Sequence, residues 1–276
     1  MSDAGVVRRI PSSSPGVLLG VREAGSKSDP PLLFLHGFPL HGEMWAPQVA
    51  EFASAWRTIA PDVRGAGTSD IGTGQYTMEL LVDDLFAVLD RVAGDDEPVV
   101  AVGLSMGGYT LLRALQREPH RFRGVVLCDT RSAADGRTGK LARAIGIRRI
   151  EIEGLEPFVD DFLAAVLAPG TRERRPDFWT ALKRTMMENS PIGVRGQLLA
   201  MASRIDTGRV LGAISAPALV VNGSEDRLTR PSAGRAMAAK IPNAVFSTVE
   251  GAGHLSSLEA PTEFNRILGT YLQHIR

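Results

Sequence analysis

Ser105 is the residue whose surroundings in the chain fit covalent chemistry best. It is the central residue of Gly-Leu-Ser-Met-Gly at positions 103–107, between an apolar run at 98–102 and a helical pattern at 108–115. A Gly-x-Ser-x-Gly turn that joins a strand to a helix pushes the serine hydroxyl out of the backbone, and glycine tolerates the backbone angles of so tight a turn. The free amides at the start of a helix also favour negative charge. The pattern predicts that Ser105 is a nucleophile.

A serine nucleophile needs a base that takes its proton, and His254 is the best candidate. The chain has five histidines, and His254 ends the glycine-rich stretch Gly-Ala-Gly-His, directly after a predicted strand. A side chain in such a loop can project from the edge of a scaffold. His41, His120 and His274 lie in polar or terminal stretches, where we expect surface positions. We therefore predict that His254 is the general base.

The base in turn needs a carboxylate that holds its tautomer and stabilises the imidazolium. Asp226 follows the strand predicted at 219–221, and it lies between Ser105 and His254 in the chain. The order serine, acid, histidine is the one that a strand–turn–helix nucleophile of this type uses, and sites in open α/β sheets gather at the carboxyl ends of the strands. Asp226 is the predicted acid, with the neighbouring Glu225 and the post-strand Asp129 as alternatives.

Acyl transfer also needs N–H groups that bind the negative oxygen of the tetrahedral intermediate. The backbone N–H of Met106, directly after the nucleophile, is one predicted donor of this oxyanion hole. The second is predicted to be the N–H of Phe38, in the stretch His-Gly-Phe-Pro at 36–39. Gly37 would let this loop approach closely, and His36 is predicted to brace it.

Further residues are candidates for a substrate pocket or for support of the site. Three side chains are predicted to contact substrate: Trp45, Tyr109 and Arg131. Trp45 fits core packing equally well. Three arginines of the later helical segment could bind a substrate carboxylate, although a solvated helix face is the favoured interpretation: Arg143, Arg148 and Arg149. Asp62 and Arg64, in the loop after the strand at 57–60, are predicted to brace one another.

The order of the elements predicts an α/β fold with a mostly parallel sheet. Apolar runs typical of strands occur at 6–10, 17–21, 31–35, 57–60, 98–102, 125–128, 218–221 and 244–249. Helical patterns at 78–92, 108–115, 231–241 and 261–275 alternate with them, as βαβ units require. The continuous apolar runs suit strands that are buried on both faces.

The segment at 132–205 differs from the rest of the chain. It contains no convincing strand pattern and reads as short helices that are interrupted near Gly154, Pro169 and Pro191. A structureless loop of this length is improbable in a compact domain. We therefore predict a core domain of residues 1–131 and 206–276, with residues 132–205 inserted as a helical cap.

Composition limits the classes of partner. The 31 basic and 31 acidic residues balance, which disfavours a nucleic-acid binder or a polybasic membrane anchor. The start of the chain lacks a secretory pattern, and no apolar stretch approaches the ~20 residues of a membrane span; we expect a cytoplasmic protein without membrane contacts. The single cysteine, Cys128, cannot form an internal disulfide and is expected to be buried. No metal site is predicted, and association into a homo-oligomer stays open.

Five motifs occur in an order that resembles the α/β-hydrolase superfamily over nearly the whole chain. They lie at residues 35–38, 61–69, 103–108, 223–226 and 251–254. The resemblance implies an eight-stranded, mostly parallel sheet flanked by helices, an inserted helical cap, a serine triad and no cofactor. Residues 105–109 and 126–130 are similar to those of carboxylesterases and 3-oxoadipate enol-lactonase-like proteins.

These observations predict a carboxylesterase that cleaves small ester substrates through an acyl-enzyme, with the triad Ser105, Asp226 and His254. Three alternatives stay open. A lactone hydrolase of the 3-oxoadipate enol-lactonase type would use the same residues. A cofactor-free perhydrolase would admit hydrogen peroxide in place of water. A small-ligand receptor would keep the pocket without turnover.

Overall fold

The strands of the protein form a single mixed sheet. The computed structural model describes residues 6–93 and 97–275. The strands are β1 Val6–Pro11, β2 Leu18–Ala24, β3 Pro31–Leu35, β4 Arg57–Pro61, β5 Val99–Leu104, β6 Phe122–Cys128, β7 Ala218–Gly223 and β8 Ala244–Val249. Within the described residues they make an eight-stranded sheet in the order β1-β2-β4-β3-β5-β6-β7-β8. The strands β3 to β8 pair in parallel, whereas β2 is antiparallel to both β1 and β4. The predicted fold class is confirmed.

Helices connect the parallel strands and follow the last of them. They are α1 Ala46–Phe52, α2 Met78–Val92, α3 Met106–Arg117, α4 Arg137–Glu153, α5 Leu155–Val166, α6 Thr171–Arg174, α7 Pro176–Met187, α8 Pro191–Ser203, α9 Pro231–Ala238, α10 Ser256–Glu259 and α11 Pro261–Gln273. The short α1 and α10 were not predicted, because neither is long enough to show a helical period. The helix predicted to run to residue 241 ends at Ala238. The predicted end is too late because Ile241, which is buried, continues the apolar pattern beyond the last turn.

The core occupies both faces of the sheet. Every residue of β3, β4, β5 and β7 is buried, and successive side chains point to opposite faces. Leu32 and Phe34 therefore join one hydrophobic cluster, while Leu33 and Leu35 join the other. Cys128, at the end of β6, is buried and free, as predicted.

The helices α4 to α8 all lie between β6 and β7 in the chain. Residues 132–205, which we call the cap, are described throughout and contain these helices and no strand. In the described part of the chain, no helix combines the length and the apolar character that crossing a membrane requires.

The loop after β4 is braced differently from the prediction. Asp62 and Arg64 do not pair with one another. Asp62 is fully buried and accepts a hydrogen bond from Arg22 at 2.6 Å. Arg64 donates to the two carboxylate oxygens of Asp84 at 2.9 and 2.7 Å. The two side chains thus connect the loop to two different elements, β2 and α2.

Candidate active site

Ser105 occupies a strained turn between β5 and α3. Its φ of 52° and ψ of −109° are unusual for a residue with a side chain. Glycines make the turn possible, because a Cβ atom on Gly107 would lie 2.2 Å from the carbonyl oxygen of Leu35. The carbonyl oxygen of Ser105 accepts hydrogen bonds from the Tyr109 N–H and the Thr130 hydroxyl. The turn holds the Ser105 hydroxyl at the carboxyl edge of the sheet, as the sequence predicts.

Ser105, His254 and Asp226 form a continuous chain of hydrogen bonds. The Oγ atom of Ser105 lies 2.8 Å from Nε2 of His254, and Nδ1 of His254 lies 2.8 Å from Oδ2 of Asp226. An ionised carboxylate can only accept hydrogen bonds, so the imidazole proton belongs on Nδ1. Nε2 is then an acceptor for the Ser105 hydroxyl. This is the arrangement in which a histidine can take a proton from serine.

Several donors hold the Asp226 carboxylate. Oδ1 accepts the backbone N–H groups of Leu228 and Thr229 at 2.8 and 2.9 Å, and Oδ2 accepts the Thr229 hydroxyl at 2.5 Å. Burial alone would raise the pKa of Asp226. The hydrogen bond and charge of His254, together with the Thr229 donors, outweigh it and bring this pKa below the usual value. Asp226 is therefore negatively charged beside the imidazole.

The two alternative acids, Asp129 and Glu225, lie in surroundings that differ from those of Asp226. Asp129 accepts the Gly223 N–H at 2.8 Å and the Ser256 hydroxyl, so it joins the ends of β6 and β7 to α10. Burial and the negative charge of Asp226 raise the pKa of Asp129 well above its usual value. Glu225 is exposed at the surface. Of the predicted candidates, Asp226 is the one that contacts His254.

The loop at 36–39, which we call the oxyanion loop after its predicted role, lies close to Ser105. A Cβ atom on Gly37 would lie 2.7 Å from the Leu104 side chain, which shows how closely the loop packs on the end of β5. In the described part of the chain, the N–H groups of Phe38 and Met106 donate to no protein acceptor. Both predicted donors are therefore available to a ligand.

His36 braces this loop. Its Nδ1 lies 3.0 Å from the Gly37 carbonyl oxygen, and its Nε2 accepts the Val63 N–H at 2.9 Å. Burial lowers the pKa of His36 to about 4, so the imidazole is neutral and Nδ1 is the donor. The ring fixes the oxyanion loop to the loop that follows β4.

The cap contacts the oxyanion loop through aromatic rings and a hydrogen bond. The Phe158 and Phe162 rings of α5 lie 6.0 and 5.4 Å from the Phe38 ring, both edge to face. Asn189 donates to the Pro39 carbonyl oxygen at 2.7 Å. The two phenylalanines were not predicted as site residues, although an aromatic pair four residues apart on an amphipathic helix is a signal that could have identified them.

His41 is a correction to the surface positions expected for three histidines. It is only 2 % exposed, and its Nε2 lies 3.2 Å from the Glu188 carboxylate at the end of α7. The polar residues around it in the sequence belong to a loop that the cap covers. His120 and His274 are exposed, as expected.

The cap also contacts the loop that carries His254. The His254 N–H donates to the Val166 carbonyl oxygen at 2.7 Å. The buried Glu259 carboxylate accepts the N–H of Gly253 on one oxygen and the N–H of Ala168 on the other, each at 2.9 Å. Glu259 thus joins the end of α5 to the residue that precedes the histidine.

The predicted pocket residues fall in two places. Trp45 is completely buried between Phe34 and Phe264, with ring centroids at 5.0 and 6.2 Å, so core packing accounts for its position. Tyr109 and Arg131 line a surface cavity beside the cap. The described residues that line this cavity do not include Ser105 or His254.

The cap arginines are paired with cap carboxylates. The pairs are Arg143 with Asp135, Arg148 with Glu151, and Arg149 with Glu153 and Asp161. The Arg148 side chain is 71 % exposed, in line with a solvated helix face. Within residues 6–93 and 97–275, no group of three or more His, Cys, Asp or Glu side chains is placed to hold a metal ion.

Replacement of Glu259 by glutamine should loosen the junction between the cap and the His254 loop. The amide offers only one acceptor oxygen and turns a donor toward the Gly253 or Ala168 N–H. Leaving a buried N–H without an acceptor costs about 1–3 kcal/mol, so the free energy of unfolding measured in urea should fall by this amount. Glu263→Gln is the matched control, because the Glu263 side chain is 42 % exposed and pairs with Arg266 at the surface. Equal stability of the two variants would contradict the bridging role.

Comparison with known proteins agrees with this architecture. The chain is 28 % identical to a 3-oxoadipate enol-lactonase of Acinetobacter baylyi, over 90 % of this chain and 91 % of the relative. It is similar to a thermophilic esterase structure from Thermogutta terrifontis, with a TM-score of 0.92, 30 % identity and coverage of 98 % and 99 % of the two chains. An enol-lactonase structure from Burkholderia xenovorans gives a TM-score of 0.86 at 27 % identity, covering 95 % of this chain and 100 % of the other. A family model described as the alpha/beta hydrolase fold matches residues 30–261, and the chain belongs to this family.

Proposed function

We propose that the protein is a carboxylesterase that hydrolyses small esters through an acyl-enzyme on Ser105. The observation that carries the proposal is the hydrogen-bonded chain from the Ser105 hydroxyl through His254 to the Asp226 carboxylate. Among the residues that the structure describes, the N–H groups of Phe38 and Met106 find no protein acceptor, and both lie on elements next to Ser105. Nucleophile, base, acid and oxyanion donors are the parts that acyl transfer by serine needs.

In the first half-reaction, the Ser105 oxygen attacks the ester carbonyl carbon while its proton passes to Nε2 of His254. The carbonyl oxygen becomes an oxyanion that the Phe38 and Met106 N–H groups bind. The negative Asp226 stabilises the imidazolium. The C–O bond to the alcohol then breaks, and His254 returns the proton to the departing alkoxide, which leaves an acyl group on Ser105.

In the second half-reaction, water takes the place of the alcohol. His254 removes a proton from the water as its oxygen attacks the acyl carbon, and the same two N–H groups bind the new oxyanion. Breakage of the bond to Ser105 releases the carboxylic acid, and the proton returns from His254 to the serine oxygen. The enzyme is regenerated with one ester bond hydrolysed.

The apolar side chains next to the oxyanion loop favour a substrate that is neutral and apolar. Phe38, Phe158 and Phe162 form an aromatic cluster between the loop at 36–39 and α5. The second candidate is hydrolysis of a lactone, and it is supported by the enol-lactonases among the relatives. The same residues would open the ring, with the alcohol remaining attached to the acyl group.

Replacement of Ser105 by alanine should abolish hydrolysis of p-nitrophenyl esters while the fold is retained. The reason is that alanine lacks the oxygen that attacks the ester carbonyl carbon. The measurement is release of p-nitrophenol, with circular dichroism as the control for folding. Wild-type turnover in the folded variant would contradict the assignment.

A substrate panel separates the two candidate activities. It pairs short neutral p-nitrophenyl esters with neutral and carboxylated lactones. The esterase proposal expects the highest kcat/KM on the esters. A higher kcat/KM on a lactone would favour the second candidate, and both would lose activity in Ser105→Ala.

Replacement by asparagine should lower kcat at position 226 and leave kcat nearly unchanged at position 129. Asp226→Asn removes the negative charge and favours the wrong imidazole tautomer, so kcat should fall about 10³–10⁴-fold. Asp129→Asn leaves the contact between His254 and Asp226 in place, its amide oxygen can still accept the Gly223 N–H, and asparagine tolerates the positive φ of 46° at this position. Its kcat should stay near the wild-type value. Steady-state kinetics of the two variants makes the comparison, and the reverse order would identify Asp129 as the acid.

A further inference from the structure

The two edges of the sheet carry different kinds of residue. β1 forms one edge and β8 the other, because among the described strands each of them pairs with a single neighbour. The β1 sequence contains two arginines and ends in Pro11, and Arg8 pairs with Glu23 at 2.8 Å. Charged side chains and proline at an edge prevent one sheet from pairing with another. The β1 edge is therefore protected against a further strand.

The β8 edge has none of these protective features. Its sequence is Ala-Val-Phe-Ser-Thr-Val, with no charge and no proline, and its six residues pair with β7 in unbroken register. Val245 is 61 % exposed, and of the six residues only Val249 is buried. The N–H and C=O groups on the outer side of such a strand are a template for a further strand. The β8 edge is thus open to pairing.

A groove runs beside this edge, between β8 and α11. Its volume is about 420 Å³, and residues of β7, β8 and α11 line it, among them Leu219, Val245, Ser247, Ile267, Thr270 and Tyr271. Val245 and Ser247 share this face of the sheet, since alternate residues of a strand point the same way. Because Val245 stays exposed there, α11 leaves part of β8 uncovered on this face.

The two ends of β8 carry opposite charges. Lys240 lies shortly before the strand, and Glu250 directly follows it. Both residues are exposed. When two copies of a strand pair antiparallel, the first end of one lies beside the last end of the other. Lys240 of each copy then lies on the side of Glu250 of the other copy, and this complementarity favours a second copy of the chain as the occupant of the edge.

We propose that the chain forms a twofold dimer in which the β8 strands of two copies pair antiparallel and join the two sheets. A strand that pairs antiparallel with its own copy makes a closed, self-complementary contact. Side chains that lie opposite one another across the pair share a face of the sheet. The exposed Val245 of each copy therefore lies next to side chains that border the groove of the other copy. The contact covers the part of β8 that α11 leaves open.

Analytical ultracentrifugation of the full chain over a dilution series tests the dimer. The chain has a mass of 29.6 kDa, and the wild type should reach a plateau at twice this mass as its concentration rises. Val245→Lys places a charge on the apolar edge of each copy, so the Kd of the dimer should rise at least about tenfold. Ile152→Lys is the matched control, because Ile152 is 63 % exposed on α4 of the cap, and it should leave the Kd unchanged. Circular dichroism checks the folding of both variants.

Reversal of the charges at the ends of β8 gives a second test that leaves the strand itself intact. Glu250→Lys places a lysine beside Lys240 of the other copy, and like charges across an interface repel one another. The Kd of the dimer should therefore rise by about two- to fivefold, as for exposed ion pairs. Addition of Lys240→Glu to the same chain brings opposite charges together again, and the double variant should return to the wild-type Kd.

Three results would overturn the proposal. The first is a mass of one chain at every concentration. The second is a dimer that Val245→Lys leaves intact or that Ile152→Lys dissociates, because such a dimer uses another surface. The third is a mass that grows beyond two chains without a plateau, which indicates an open assembly in place of a closed pair. If Val245→Lys does not fold, Glu250→Lys and its double variant with Lys240→Glu decide the question, and a dimer that is insensitive to both contradicts the pairing of β8.

Discussion

The imidazole of His254 makes a hydrogen bond through each of its two nitrogens, and the order of strands in the sheet brings both partners, Asp226 and Ser105, to it. Ser105 follows β5, Asp226 follows β7 and His254 follows β8. Because these strands are parallel, their carboxyl ends meet at one edge, and two 2.8 Å contacts result. The glycines around Ser105 bring α3 against the end of β3. A shift in one of these strands would separate the Ser105 hydroxyl from the His254 imidazole.

The same edge holds two buried carboxyl groups, and their surroundings shift the two pKa values in opposite directions. Asp226 keeps its charge because His254 and Thr229 donate to it. The pKa of Asp129 is raised because burial and the charge of Asp226 oppose its ionisation. Two hydrogen bonds join the cap to these loops. The Ala168 N–H of the cap donates to Glu259, beside the His254 loop, and Asn189 of the cap donates to the Pro39 carbonyl oxygen in the oxyanion loop.

Sequence is sufficient to predict the sheet and the residues that meet at its edge. Apolar strand runs, glycine-rich turns and chain order all have local signatures, so residue types and their spacing are enough to select Ser105, Asp226 and His254. Contacts between distant segments have no such signature. The burial of His41 beneath Glu188, the pairing of Arg64 with Asp84 in place of Asp62, and the packing of Phe158 and Phe162 on Phe38 depend on how the cap and loops lie on the core. Short helices such as α1 and α10 are not predicted from the sequence either, because one or two turns are too short to show a helical period.

The central claim is that the Ser105 oxygen carries the acyl group during turnover. Rapid acid quenching of the enzyme with a p-nitrophenyl ester, followed by peptide mapping with mass spectrometry, tests it directly. The account predicts that the mass of one acyl group appears on the peptide that contains Ser105, and that it disappears as hydrolysis finishes. An acyl group on another residue, or turnover with no acylated peptide in the wild-type enzyme at any quench time, would contradict it.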